Sequence, residues 1–168
     1  MTMTDAGLAV RPEGFQRVAR ALAERGHTHV PRWLEVPVRT SQQAADHLGV
    51  AVGQIAKSVI FRSKADDRAV LVIASGDKRV DERKVAALAG AIGRADAEFV
   101  KRKTGFSIGG VAPLAHAECA TTLLDRELLR FEVVWAAAGH PNAVFPFAPA
   151  QLSALTDGAP WADVVQES

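Results

Sequence analysis

The sequence predicts an α+β fold: helices packed on a mixed, mostly antiparallel sheet. Three observations lead there. Apolar residues recur at helical spacing in segments bounded by caps and glycines; four runs are rich in β-branched and aromatic residues; and the two kinds of segment are interspersed without the strict alternation of a βαβ fold. With 168 residues, 48% of them hydrophobic, the chain can bury a sizeable core within the usual size of one domain, so a single domain over residues 1–168 is expected.

In chain order, residues 12–25 read as a helix because Phe15, Val18 and Leu22 recur at i, i+3 and i+7, with Pro12 near the start and Gly26 just past the end. A second helix is expected over Ser41–Leu48, where Thr40 or Ser41 can cap an alanine-rich interior and Gly49 follows. Residues 54–62 read as a strand and 68–75 as its antiparallel hairpin partner, across a polar turn at 63–67. Residues 81–88 form a third helix with Asp81 as cap and Gly90 as stop, and 96–103 a short fourth one ending at Gly105. Residues 132–138 and Ala143–Phe147 are strands around the turn Gly139-His140-Pro141-Asn142, and 148–156 a last helix before Gly158.

The charge balance narrows the function. Lys and Arg number 20 against 19 Asp and Glu, for a net charge of +1, which favours neither a generic DNA-coating protein nor a membrane-surface binder. Any nucleic-acid contact must then be local. Cys119 is the one cysteine, so an internal disulfide and a cysteine-rich zinc module are excluded, and a reducing cytoplasm fits best. The first ten residues lack the pattern of a signal peptide and no 18 uncharged apolar residues run together, so a cytoplasmic protein is expected.

Alternation in the strand 54–62 places Ile55, Lys57, Val59 and Phe61 on one face and Ala56, Ser58 and Ile60 on the other. An ammonium among large apolar neighbours either snorkels to water, the commoner case, or meets an anion or a polarised carbonyl. Residues 104–113 hold three glycines and a proline, including the adjacent pair Gly109-Gly110. Such a segment is an ordinary tight turn, or it lets backbone N–H groups approach an oxyanion. It matches neither a P-loop nor GxGxxG. His116 and His140 are lone histidines with no HExxH or CxxC partner, so no metal site is expected, and the neighbours of Cys119 give no reason for a lowered pKa. The basic runs Lys78-Arg79, Arg83-Lys84 and Lys101-Arg102-Lys103 are solvated faces unless they line the mouth of a cleft at Lys57, where they could hold the backbone of a single-stranded RNA end.

Ile55-Ala56-Lys57-Ser58 on a strand, followed about fifty residues later by Gly109-Gly110-Val111-Ala112-Pro113, resembles the YbaK family, which includes the editing domain inserted in bacterial prolyl-tRNA synthetases. The likeness extends from about Thr40 through Phe147. It implies a mixed α+β fold and hydrolysis of the ester joining a wrongly attached amino acid to the terminal adenosine of tRNA, performed in trans and without a cofactor. The family's essential lysine would be Lys57 and its GxxxP loop Gly109 to Pro113. Gly109 and Gly110 would supply oxyanion donors, and Val111, Pro113, His140, Ser58 and Phe61 are candidate substrate contacts. The implied partner is the acceptor end of aminoacyl-tRNA, with transient association with a synthetase, and neither DNA nor a membrane. The expected substrate is a small amino acid such as alanine on tRNA(Pro). Two other readings stay open: a non-catalytic module that binds an RNA 3′ end or a nucleotide in the same cleft, and a hydrolase of small activated esters unrelated to tRNA.

Overall fold

Helix α1 (Glu13–Glu24) buries Phe15, Val18, Ala21 and Leu22, the one-sided stripe that its spacing demands. The structure, a computed structural model, describes residues 11–28 and 30–167. After α1 come β1 (Arg32–Trp33), α2 (Ser41–Leu48), β2 (Ile55–Ser63), β3 (Ala69–Ser75), α3 (Glu82–Ala89), β4 (Ile92–Arg94), α4 (Ala97–Thr104), β5 (Thr121–Asp125), β6 (Val134–Ala137), β7 (Ala143–Phe147), α5 (Leu152–Leu155) and β8 (Trp161–Ala162). Caps set the helix starts. Thr40 Oγ1 accepts from Gln43 N–H in α2, Asp81 from Arg83 and Lys84 N–H in α3, and Asp96 from Phe99 N–H in α4. The helix expected over 148–156 begins instead as a 3-10 turn at Pro149–Gln151.

The strands form one mixed sheet in the order β1-β7-β6-β2-β3-β5-β8, with β4 also against β2. The pairs β1–β7, β6–β7, β2–β3 and β2–β4 are antiparallel, whereas β2–β6, β3–β5 and β5–β8 are parallel. Helices cover both faces. On one, α1 packs through Phe15 and Leu22, and α5 through Leu152, against Ala56, Ile73, Ala136 and Phe145. On the other, Val85 of α3 meets Val70 and Val72, with Val59 and Phe61 against them, while Ala44 and Ala45 of α2 meet Ile55 and Val144. The alternation expected for β2 is therefore what sorts its side chains between layers. No helix among the described residues is long and apolar enough to cross a membrane.

One irregularity positions everything that follows. β3 runs along one edge of β2 from Ala56 to Arg62. On the opposite edge, β6 pairs only with Ile55 and Ala56, and β4 only with Phe61, Arg62 and Ser63. Residues 57–60 thus have no strand neighbour on that edge. The sheet is held open there from both ends.

Candidate functional site

The opening in the sheet is a cleft of about 250 Å³. Its walls include Ala56, Lys57 and Ser58 of β2 together with Trp135, Ala136 and Ala137 of β6. Consecutive strand residues point to opposite faces, so a cleft that touches three in a row on each strand penetrates between the strands. The segment leading into α2 contributes Arg39, Thr40 and Ser41, the glycine loop contributes Ile108, Gly109 and Val111, and the β6–β7 turn contributes His140 and Pro141.

Lys57 is half-buried at the wall, and its Nζ donates to the backbone carbonyl of Lys78 at 2.5 Å. Burial lowers its pKa from the ordinary lysine value, and the carboxylates of Asp125 and Asp77 oppose that shift. Asp125 is only 1% exposed. Its Oδ2 accepts from Ser75 N–H at 3.0 Å and its Oδ1 from Glu127 N–H at 2.9 Å, while burial pushes its pKa up. Asp77 is gripped by the Arg130 fork at 2.7 and 3.1 Å, which holds its pKa down. The ammonium therefore rests on a carbonyl with two anchored carboxylates nearby. Having three donors, it keeps others for a ligand.

Ser58 adds a second polar group. Its Oγ is buried with no hydrogen-bond partner among the described residues. Such an orphan costs about 1–3 kcal/mol, a penalty that a ligand can remove.

The two adjacent glycines do different work. Gly109 sits at φ +93°, in the left-handed region, with nothing nearer to an added Cβ than Pro141 Cγ at 3.7 Å. Its N–H has no acceptor among the described residues. The N–H of Gly110, by contrast, is already donated to Ser107 O at 3.0 Å, so the turn itself uses the donor that the sequence offered for an oxyanion. What Gly110 provides is closeness, since a Cβ there would stand 2.8 Å from His140 Cα and 2.9 Å from His140 N.

His140 is held by two contacts. Its Nδ1 accepts from Asn142 N–H at 3.1 Å, which assigns the proton of the neutral ring to Nε2. Its ring lies over Trp33 at 4.9 Å between centroids, tilted by 30°, and the Arg11 guanidinium covers Trp33 at 4.5 Å. Burial, and then the positive charge of Arg39, lower its pKa.

Of the residues singled out in the sequence, Lys57, Ser58, Gly109, Val111 and His140 line this cleft. Gly110 stands behind its wall. Phe61 packs on the opposite layer near Val70 and Val85, and Pro113 lines a separate cavity together with His116 and the exposed Cys119. His116 Nε2 is bonded to Ala112 O at 2.8 Å, and burial lowers its pKa. No member of the three basic runs lines the cleft. Lys78, Lys84, Arg102 and Lys103 pair instead with Glu127, Asp163, Asp67 and Glu118. Sequence reasoning missed Arg39, Ser41 and Trp135 in the walls, and Trp33 behind His140. The only local signal was the place of Arg39 and Ser41 on either side of a recognisable helix cap. Among the described residues, no three His, Cys, Asp or Glu side chains converge as a metal site.

Comparison with known proteins bears on this geometry. The family model described as an aminoacyl-tRNA editing domain matches residues 35–155, a span that contains every segment lining the cleft. Uncharacterized protein YwhH of Bacillus subtilis (strain 168) is 33% identical over 149 residues, 83% of this chain and 94% of that protein. The proline--tRNA ligase of Lactobacillus acidophilus is 34% identical over 93 residues, which are 54% of this chain and 16% of the ligase. A crystal structure assigned as a candidate trans-editing enzyme for prolyl tRNA synthetase superposes with a TM-score of 0.86 at 38% identity, covering 94% of this chain and 99% of that one.

Proposed function

The chain belongs to the aminoacyl-tRNA editing domain family, and from that premise we propose that it is a deacylase acting in trans, which hydrolyses the ester of a mischarged tRNA, with a small amino acid such as alanine on tRNA(Pro) as substrate. The observation that carries the reading is convergence. Lys57, Ser58 and Gly109, the last with an N–H that no described residue accepts, line one small cleft in the sheet.

An aminoacyl ester is already activated, so the protein has to position water, stabilise the developing oxyanion and exclude larger substrates. Water oxygen bonds to the carbonyl carbon, and the tetrahedral intermediate places negative charge on the former carbonyl oxygen. The Gly109 N–H and Lys57 are the donors for that charge. One proton of the attacking water passes, relayed by the neighbouring ribose hydroxyl, to the ester oxygen of the ribose; the carbon–oxygen ester bond then breaks, that oxygen leaves as a hydroxyl, and the free amino acid departs. His140, held neutral with its proton on Nε2, contributes a hydrogen-bond donor to the substrate rather than a base. No protein nucleophile enters the scheme.

Cleft size supports a small side chain. About 250 Å³ lies below the roughly 300–1,000 Å³ of sites for drug-sized ligands. The synthetase-linked relatives support tRNA(Pro), transient contact with a synthetase and action in the cytoplasm, where charged tRNA is used.

Multiple-turnover incubation with Ala-, Cys-, Ser- and Pro-tRNA(Pro) and with Ala-tRNA(Ala) tests the reading. Free alanine should accumulate beyond one equivalent from Ala-tRNA(Pro), with Pro-tRNA(Pro) spared. Stoichiometric protection of the ester would instead identify a binding module, and equal hydrolysis of simple amino-acid esters would identify a general esterase.

A further inference from the structure

If the cleft receives the terminal ester, the nucleotides preceding that ester must cross its rim, and the rim carries positive charge that no described carboxylate neutralises. Arg39 is exposed and lines the cleft, and its guanidinium has no hydrogen-bond or ion-pair partner among the described residues. Arg32, on edge strand β1, lies opposite Val144 of β7, another lining residue. Its guanidinium carbon is 4.9 Å from the ring centroid of Trp135, also in the cleft wall, and it too has no carboxylate partner among the described residues.

An arginine laid on a tryptophan keeps its N–H edges free, and the planar fork fits two phosphate oxygens at once. With a net charge of only +1, the protein has no general field to draw in a polyanion, so capture depends on where individual cations stand. Trp135, packed against the Leu34, Ile55 and Val144 cluster, holds the Arg32 guanidinium in place beside the cleft.

We propose that Arg39 and Arg32 form a phosphate-binding rim for the unpaired 3′ end of a ribonucleotide chain, guiding it into the cleft. The proposal rests on the deacylase reading for the identity of the chain, yet it can be tested without any ester.

The probe is an uncharged, fluorescently labelled acceptor-stem hairpin, prepared with its unpaired 3′ end and as a blunt version, titrated by anisotropy at several salt concentrations against wild type, Arg39→Ala, Arg32→Ala and the double variant. Thermal unfolding confirms that each variant is folded. For the tailed hairpin, the double variant should bind about tenfold or more weakly, with a salt slope shallower by about 1.4, the counterion release expected of two single-strand phosphate contacts. Arg39→Lys should keep the slope, because a phosphate accepts a point charge as well. Unchanged affinity and slope in the double variant, an equal loss on the blunt hairpin, or no binding by wild type would overturn the proposal. Arginine-dependent binding without deacylation would sink the hydrolase reading alone, whereas deacylation with arginine-independent binding would sink the rim alone.

Discussion

Substituting Gly110 with alanine isolates close packing from every other function of the glycine loop. The φ of Gly110 lies outside the left-handed region, so alanine can adopt its backbone conformation. The obstacle is contact, with the added Cβ at 2.8, 2.9 and 3.0 Å from Cα, N and C of His140. Carbon atoms rest at roughly 3.5–4.0 Å, so the His140 turn or the loop has to retreat by about 0.7 Å or more. Backbone cannot rotate away as a side-chain tip can, and over-packing of this kind costs about 1–3 kcal/mol. Both the loop and the turn line the cleft, so the displacement falls on the proposed substrate site. Gly110→Ala should therefore lower the melting temperature and reduce kcat/KM for Ala-tRNA(Pro) by about tenfold or more, as misplacement by about 1 Å can cost 10²-fold. The imidazole signals of His140 in NMR spectra should shift, because its Asn142 bond and Trp33 contact both depend on where the turn sits. A folded Gly110→Ala variant with wild-type turnover and unshifted His140 signals would refute this account of the approach.

Ser58→Ala should hold or raise stability by up to about 1 kcal/mol, since it deletes a buried hydroxyl with no partner, while lowering deacylation; loss of stability with full activity would make Ser58 structural. Lys57→Met should reduce kcat by about 10²–10³, the usual cost of a lost oxyanion donor, and measured turnover within a few-fold of wild type would remove Lys57 from the mechanism. Because burial depresses the folded-state pKa of Lys57, its charge penalises folding at neutral pH and the penalty disappears as pH rises through the folded and then the unfolded pKa. Wild type should accordingly gain stability relative to Lys57→Met as unfolding is followed to alkaline pH, and the opposite trend would contradict the buried-charge argument. Cys119→Ser should leave deacylation unchanged, because Cys119 is exposed in a cavity separate from the cleft; an inactive folded variant would require a different chemistry.

Local signals made much of this fold legible. Thr40 and Asp81 cap the helices they were expected to cap, and the 54–62 and 68–75 runs pair antiparallel, because each feature depends on residues a few positions apart. β1, β4 and β8 have only two or three residues each, too few for a period to appear, and they exist because distant strands offer edges. β5 is longer, but both its pairings are parallel and reach β3 and β8 across the chain, so no turn announces it. The site divides in the same way. Lys57 and the paired glycines stood out by residue type, and strand alternation sorted Ser58 from Phe61. That β2 and β6 part after two residue pairs, making Ser58 a cleft residue and leaving Phe61 in a core, is a property of sheet pairing that no local pattern encodes. The separate fates of the Gly109 and Gly110 N–H groups likewise depend on how the turn closes on Ser107.

A gap within a sheet is a costly place for a binding site, since backbone groups along residues 57–60 lose ladder partners that they would otherwise have on that edge. The compensation is rigidity. β3 continues along the other edge of β2 past the opening, and β6 and β4 fasten the near edge on either side of it, so the walls cannot close or widen without breaking a ladder. Alanines 56, 136, 137 and 143 face the space, and enlarging any of them would narrow it directly. Discrimination by size works only if the pocket does not yield, because one methylene contributes about 1–3 kcal/mol in an apolar site and a wall that relaxed would forfeit part of that difference. Loops tolerate such relaxation more readily than paired strands do. Under the proposed deacylase reading, sparing proline while removing a smaller residue is served by setting the dimensions of the pocket with strands, and leaving to the glycine loop and the His140 turn the donors for the ester.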